Sequence, residues 1–161
     1  MTEDEKFMKL ALAEAKRAAA KLESPIGAVL VLDGRVVARG HNVRETENSA
    51  LGHAELEAIR KGCKKLKSWR LCDCDLYVTL EPCSMCAGAI IQSRIRRVCY
   101  GAKDPKAGAA GSVVDLFSVT EFNHRVEVES GVLEEECSRI LRDFFADLRK
   151  SKLIHKSNLE L

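Results

Sequence analysis

Residues 75–86 read DLYVTLEPCSMC. The first six, Asp75 to Leu80, carry the β-branched and aromatic residues of a strand. Glu81-Pro82 ends that run, and Pro82 suits the first turn of a new helix, where its missing N–H costs nothing. A strand that passes directly into a helix, with Cys83 and Cys86 at the helix start, is the unit from which the rest of the chain is read.

Upstream of it, residues 53–66 (HAELEAIRKGCKKL) predict a helix that opens at His53, after a polar loop from His41 to Gly52. Before that loop stand GAVLVL (27–32), Asp33-Gly34 and RVVAR (35–39). Asp-Gly between two β-branched runs predicts a hairpin. From Glu3 to Leu22, Phe7, Leu10, Ala11, Ala15 and Ala18 recur at helical spacing. Ser24-Pro25 ends that helix, because proline disfavours helix in the residue before it. Downstream, Pro82 to about Ser93 is helical and Val98–Tyr100 is a short strand. Lys103 to Gly111 is a Gly/Ala-rich loop. Arg125–Glu129 alternates as a strand and stops at Gly131. A last helix starts near Leu133 and passes Leu148, with Ile140, Leu141, Phe144, Phe145 and Leu148 as its apolar residues. Alternating strands and helices predict an α/β fold, a sheet covered by helices on both faces.

The chain has 161 residues, 46% hydrophobic and 31% charged, with 26 Lys+Arg against 24 Asp+Glu. That suits one compact soluble domain, residues 1–161, and excludes collagenous, disordered and disulfide-miniprotein classes. No apolar stretch approaches the roughly 18 residues that cross a bilayer. The acidic, Ala-rich start is not a secretory signal or a transit peptide. A cytoplasmic setting with no membrane is therefore expected. The net charge of +2 identifies no partner. Seven cysteines in a reducing compartment read as thiols or metal ligands.

C-x-x-C alone also fits a redox motif or buried cysteines, and a lone histidine at a helix start is usually a capping or surface residue. Together, His53, Cys83 and Cys86 make a two-thiolate, one-imidazole ligand set of the kind Zn²⁺ takes, with the fourth position open to water. Both cysteines sit at a helix start, where the dipole favours thiolates. Glu55, two residues after the histidine and free of the metal, can act as general acid–base. His-x-Glu followed by Pro-Cys-x-x-Cys is the signature of the zinc nucleobase deaminases.

The surroundings closely resemble the bacterial tRNA-specific adenosine deaminases (the TadA type) from about Met8 to Arg149. Matching stretches are Pro25–Leu30, Leu76–Cys83, Met85–Ala89, Gly108–Ser112 and Asn123–Glu127. The resemblance implies a cytidine-deaminase-like three-layer α/β/α sandwich with a central mixed sheet. It implies one zinc per chain, a homodimer whose active site is bordered by both subunits, and conversion of the wobble adenosine of a tRNA anticodon stem-loop to inosine. It places Asn42 on the flipped base, Ala54 among the substrate contacts, and Asn123 with Phe144 or Phe145 around the anticodon nucleotides. His124 falls beside the same pocket by virtue of its neighbours. One departure is Ala50-Leu51-Gly52, where the family usually has Pro-Thr-Ala before His-Ala-Glu.

Two basic runs, Arg60–Arg70 and Arg139–Lys156, read either as solvated helix faces or as phosphate contacts. Arg44, Arg70 and Lys106, in loops, are the phosphate candidates. The Gly108–Gly111 loop is either a phosphate cradle of backbone amides or a tight structural loop. Trp69 reads as core packing, Cys72 and Cys74 as incidental thiols, and Cys63, Cys99 and Cys137 as small buried hydrophobes. Two other functions compete with RNA editing: deamination of a free base or nucleotide on the same fold, and a non-catalytic zinc scaffold. Glu55 argues against the scaffold, which needs no proton shuttle.

Overall fold

A computed structural model describes the backbone of residues 1–159 and the side chains through residue 152. Lys156 of the second basic run and His155 fall outside the described side chains. The element order is α1 (Glu3–Ala20), β1 (Gly27–Leu32), β2 (Arg35–His41), α2 (Ala54–Leu66), β3 (Cys74–Leu80), α3 (Ser84–Gln92), β4 (Arg97–Ala102), β5 (Glu127–Glu129) and α4 (Glu134–Leu159). A single 3₁₀ turn, Leu116–Ser118, interrupts the connection between β4 and β5.

The strands form one mixed sheet in the order β2-β1-β3-β4-β5. β1 is antiparallel to both β2 and β3, whereas β3, β4 and β5 run parallel. The β1–β2 hairpin turns on Asp33 (φ 51°) and Gly34 (φ 73°), the two positive φ values that a type I′ turn needs. α1 and α4 cover one face around Phe7, Met8, Val29, Tyr77 and Cys137. α2 and α3 cover the other around Leu30, Ala58, Leu76, Ile90 and Val98. The expected three-layer α/β/α sandwich with a mixed sheet is the observed fold.

This topology decides where a site can be. β2 and β3 are both antiparallel to β1, so both end at the same edge of the sheet, and each feeds a helix on the same face. β4, parallel to β3, ends at that edge too. The loops after β2, β3 and β4 therefore converge.

Two glycines seat the helices. A Cβ on Gly27 would stand 2.0 Å from the Ala11 carbonyl oxygen of α1, and one on Gly40 would stand 2.4 Å from the Ala54 carbonyl oxygen of α2. Alanines on the helices complete the close approach. Gly40→Ala is expected to push α2 outward and to cost about 1–3 kcal/mol, the usual cost of overpacking. Denaturant unfolding measures it, and an unchanged midpoint would contradict the close packing.

Several expectations are corrected. Pro82 precedes the N-cap Cys83 and lies outside the first turn of α3. The final strand shortens to Glu127–Glu129, because pairing with β4 reaches only Arg97 to Cys99. Trp69 is 53% exposed and does not pack in the core. Its ring lies 4.2 Å from the Arg70 guanidinium and 5.8 Å from that of Arg94, so the indole is covered by cations. Cys74 is buried in the α2–α3 core beside an exposed Cys72, and Cys99 and Cys137 are buried as expected, while Cys63 is half-buried.

Candidate active site

His53 is the N-cap of α2 and Cys83 the N-cap of α3. Neither side chain makes a capping bond, so both are free for a ligand. Cys86 follows in the first turn of α3. The positive ends of two helix dipoles thus meet at one point, which favours thiolates there.

His53 Nδ1 lies 3.6 Å from Cys83 Sγ and 3.4 Å from Cys86 Sγ. The three ligand atoms all lie within 4.8 Å of one another, and they form the one such group among the described residues. Ordinary Zn–S and Zn–N bond lengths with a tetrahedral angle give an S···N separation of about 3.6 Å. The donor set and its spacing therefore fit zinc, with three protein ligands and none to close the fourth position.

The three groups also shift one another's protonation. The hydrogen bond from Cys86 brings the Cys83 thiol down to about 4, against the penalty of burial, with help from His53. Cys86 is driven up by that same bond, by burial and by the neighbouring Glu55. The hydrogen bond to Cys83 raises His53.

Glu55 lies in the first turn of α2, 4% exposed. Burial pushes its carboxyl up to about 7, and it reaches the Cys86 thiol. A carboxyl that changes protonation near neutrality and stands beside the metal ligands without being one of them is suited to moving a proton.

Asn42 follows β2 at the same edge. It is buried, and its side-chain oxygen accepts the Arg44 N–H at 2.9 Å, which leaves the carboxamide nitrogen uncommitted. Arg44 is close enough to oppose the protonation of His53. Ala54 is fully buried under β2. Gly52, in the entry loop that departs from the family pattern, allows a close approach: a Cβ there would stand 2.9 Å from the Arg44 amide nitrogen, so the loop closes tightly on itself just before His53. Lys106, on the loop after β4, borders a cleft of about 780 Å³ with Phe145, Arg142 and Arg149. Phe144 turns the other way, towards Ala19, Leu22 and Ile140. The two adjacent aromatics thus divide between a packed and an open side.

Arg70 and Asn123 are not at this edge. Arg70 follows α2 and precedes β3, and Asn123 precedes β5, so both lie at the opposite end of the sheet. The length of α3 alone separates the two ends by about 14 Å. His124 is at that far end as well, its Nε2 bonded to the Ile95 carbonyl at 2.7 Å. It has a structural role there, away from the pocket of its own chain. The basic runs are partly spent: Arg60 pairs with Glu57, and Arg139 and Arg142 with Glu135.

Two residues escaped the sequence. Glu81 and Glu23 are buried carboxylates. Glu81 accepts from the amides of Asp104, Ala110 and Ser112 and from the Ser112 hydroxyl. The amides of the Gly108–Gly111 region thus enclose an anion, but it is the protein's own, which decides for the structural loop. The hint in the sequence was a glutamate placed between an apolar strand and a metal-ligating cysteine.

The family model for MafB19-like deaminases matches residues 2–149. The tRNA-specific adenosine deaminase of Bacillus subtilis (strain 168) is 54% identical over 99% of this chain and 99% of its own length. A solved structure from studies of A-to-I editing by tRNA:A34 deaminases at the wobble position is 53% identical, with a TM-score of 0.82, over 84% of this chain and 99% of that one. The guanine deaminase of Bacillus subtilis is 45% identical, with a TM-score of 0.60, over 62% of this chain and 64% of that one. The matched span covers both helix starts that carry His53, Cys83 and Cys86, and the Bacillus subtilis relative shares more than half of its residues with this chain along nearly the full length of both: the chain belongs to the tRNA-specific adenosine deaminases, within the MafB19-like deaminases.

Proposed function

We propose that this protein deaminates the wobble adenosine of a tRNA anticodon stem-loop to inosine, as a cytoplasmic homodimer with one zinc ion per chain. The observation that carries this reading is the buried Glu55 beside the converged His53, Cys83 and Cys86, in a chain 54% identical to a tRNA-specific adenosine deaminase.

His53, Cys83 and Cys86 would hold the metal. Zinc, when bound, supplies a Lewis acid that brings the pKa of a water towards neutrality. Glu55 takes one proton from the attacking water and delivers it to the ring nitrogen as the new C–O bond forms; it then carries the second proton, from the new hydroxyl, to the amine, which leaves as ammonia when the C–N bond breaks. Water and adenosine are consumed; ammonia and inosine are released. Asn42 offers its carboxamide nitrogen to the base. Arg44 and Lys106 meet phosphates, and Phe145 presents an open ring for stacking. Arg70 and Asn123, about 14 Å away at the other end of α3, act in this reading at the partner's site. Among the described residues no helix is long and apolar enough to cross a membrane.

The test is a competition assay. A short anticodon stem-loop with adenosine at the wobble position is incubated beside excess adenosine, guanine and cytosine. An anticodon base is already partly unstacked and offers neighbours to read, so the stem-loop is expected to be preferred. A free base or nucleoside processed with equal or greater efficiency would replace this reading by the free-base one, which the guanine deaminase likeness carries. Stem-loop binding is further expected to weaken with salt. Arg44→Ala and Lys106→Ala should each lower the slope of log affinity against log salt by about 1. An unchanged slope in both returns these side chains to solvated surface.

A further inference from the structure

We propose that Glu23 and Glu81 are positioning residues, two buried carboxylates that clamp the two loops bordering the candidate site and so set how tightly substrate is held. As a statement about substrate, this rests on the deaminase reading above; as a statement about the loops, it does not.

Glu23 is 1% exposed and Glu81 2%. A buried carboxylate is costly unless hydrogen bonds satisfy it. What it gives in return is unusual acceptor capacity: one side chain can take several N–H and O–H donors at once, with bonds strengthened by its charge. Both residues use that capacity on a loop. Glu23, in the turn between α1 and β1, accepts the Glu45 amide at 3.1 Å, the Thr46 amide at 2.8 Å and the Thr46 hydroxyl at 2.7 Å. Glu81, at the end of β3, accepts the Asp104 and Ala110 amides at 3.0 Å, the Ser112 amide at 3.1 Å and the Ser112 hydroxyl at 2.5 Å.

The two clamped loops are those that carry the proposed substrate contacts. The loop held by Glu23 bears Asn42 and Arg44 and leads into His53. The loop held by Glu81 bears Lys106. Its anchor stands two residues before Cys83, and the Pro82 carbonyl accepts the Ala109 amide at 2.8 Å as a second tie. Gly108 sits so close that a Cβ would stand 2.3 Å from Glu81 Oε2. Both loops are irregular, and their amides have no strand or helix to bond. The two glutamates supply those partners from the interior.

The test uses the full chain with Glu23→Gln, Glu81→Gln, Thr46→Ala and Ser112→Ala, and with Glu47→Gln as the control on an exposed residue of the first loop. Gln keeps the shape but turns an NH₂ towards donors. Hydrogen exchange followed by NMR is expected to show the Glu45 and Thr46 amides losing protection by about 10-fold or more in Glu23→Gln, and those of Asp104, Ala110 and Ser112 in Glu81→Gln, with β1 and β3 unchanged. KM for the stem-loop should rise about 10-fold, with kcat within about threefold and metal content equal to the parent's. Thr46→Ala and Ser112→Ala, which remove one donor from the loop side and leave the core intact, should move the same quantities in the same direction by less. Unchanged protection in all four variants overturns the proposal. So does a fall in kcat or metal content at unchanged KM, which would make the glutamates supports of the metal ligands. If the glutamine variants do not fold, the two loop-side variants decide. If the parent itself leaves the stem-loop unmodified, the deaminase reading fails while the exchange data still judge the clamps.

Discussion

Replacing Glu55 by alanine is expected to leave the fold and the metal intact and to lower deamination by about 10² to 10⁴, the usual contribution of a positioned general acid–base. The side chain is 4% exposed and sits in the first turn of α2, where it makes no ion pair among the described residues. Burial brings its carboxyl up to about 7, so it can both take and release a proton near neutral pH. It is close enough to His53 to raise that imidazole, and the ligand set does not need it. Glu55→Gln preserves volume and should lose activity to a similar degree, which separates proton transfer from packing. Elemental analysis and circular dichroism establish the intact state, and single-turnover kinetics read the loss. A zinc-replete Glu55→Ala protein with substantial turnover would assign the proton transfer elsewhere.

Loss of the metal should have a comparable effect. Cys83→Ala removes one of the three candidate ligands, and is expected to abolish stoichiometric zinc and with it all measurable deamination. A strong chelator should do the same to the parent, and one equivalent of zinc per chain should restore it. The holo protein should also melt at a higher temperature, because a ligand present at 1,000 times its Kd adds about 4 kcal/mol to the folded state. The expected arrangement has three protein ligands, His53, Cys83 and Cys86. Full activity in a verified metal-free chain, or a fourth protein ligand found in the zinc-loaded protein, would contradict it.

Strand and helix periodicity located every element within a few residues, because alternating or helically spaced apolar side chains report directly on which face is buried. The Asp33-Gly34 turn was legible for the same local reason, since a type I′ turn demands those φ values. The ligand set was legible because metal chemistry restricts residue type: imidazole and thiolate at two helix starts leave few other readings. Trp69 is exposed where a core position was expected, since a large apolar ring normally signals a core and neither the stacking of its neighbour Arg70 nor the arrival of Arg94 from the end of α3 is written in the local pattern. Pro82 falls two positions before the first helical residue, Ser84, as the cap belongs to Cys83 and cap identity depends on where the preceding strand stops.

The sequence by itself determined the helices and strands, the hairpin turn and the chemical kind of the site, because each depends on neighbours within a few residues or on the few side chains that bind zinc. Only the tertiary structure decided that β2, β3 and β4 end at one edge, and hence that Asn42, Arg44 and Lys106 stand at the same end of the sheet as His53 while Arg70 and Asn123 lie at the other. Only it showed that the Gly-Ala loop wraps Glu81 and that Glu23 holds the loop before His53. These are contacts between residues 22 to 31 positions apart, and apart from the Thr46 and Ser112 hydroxyls their partners are backbone amides. An amide is the same group at every non-proline position, so no pattern of side chains can say which ones a distant carboxylate will meet; the pairing follows from the direction of the strands.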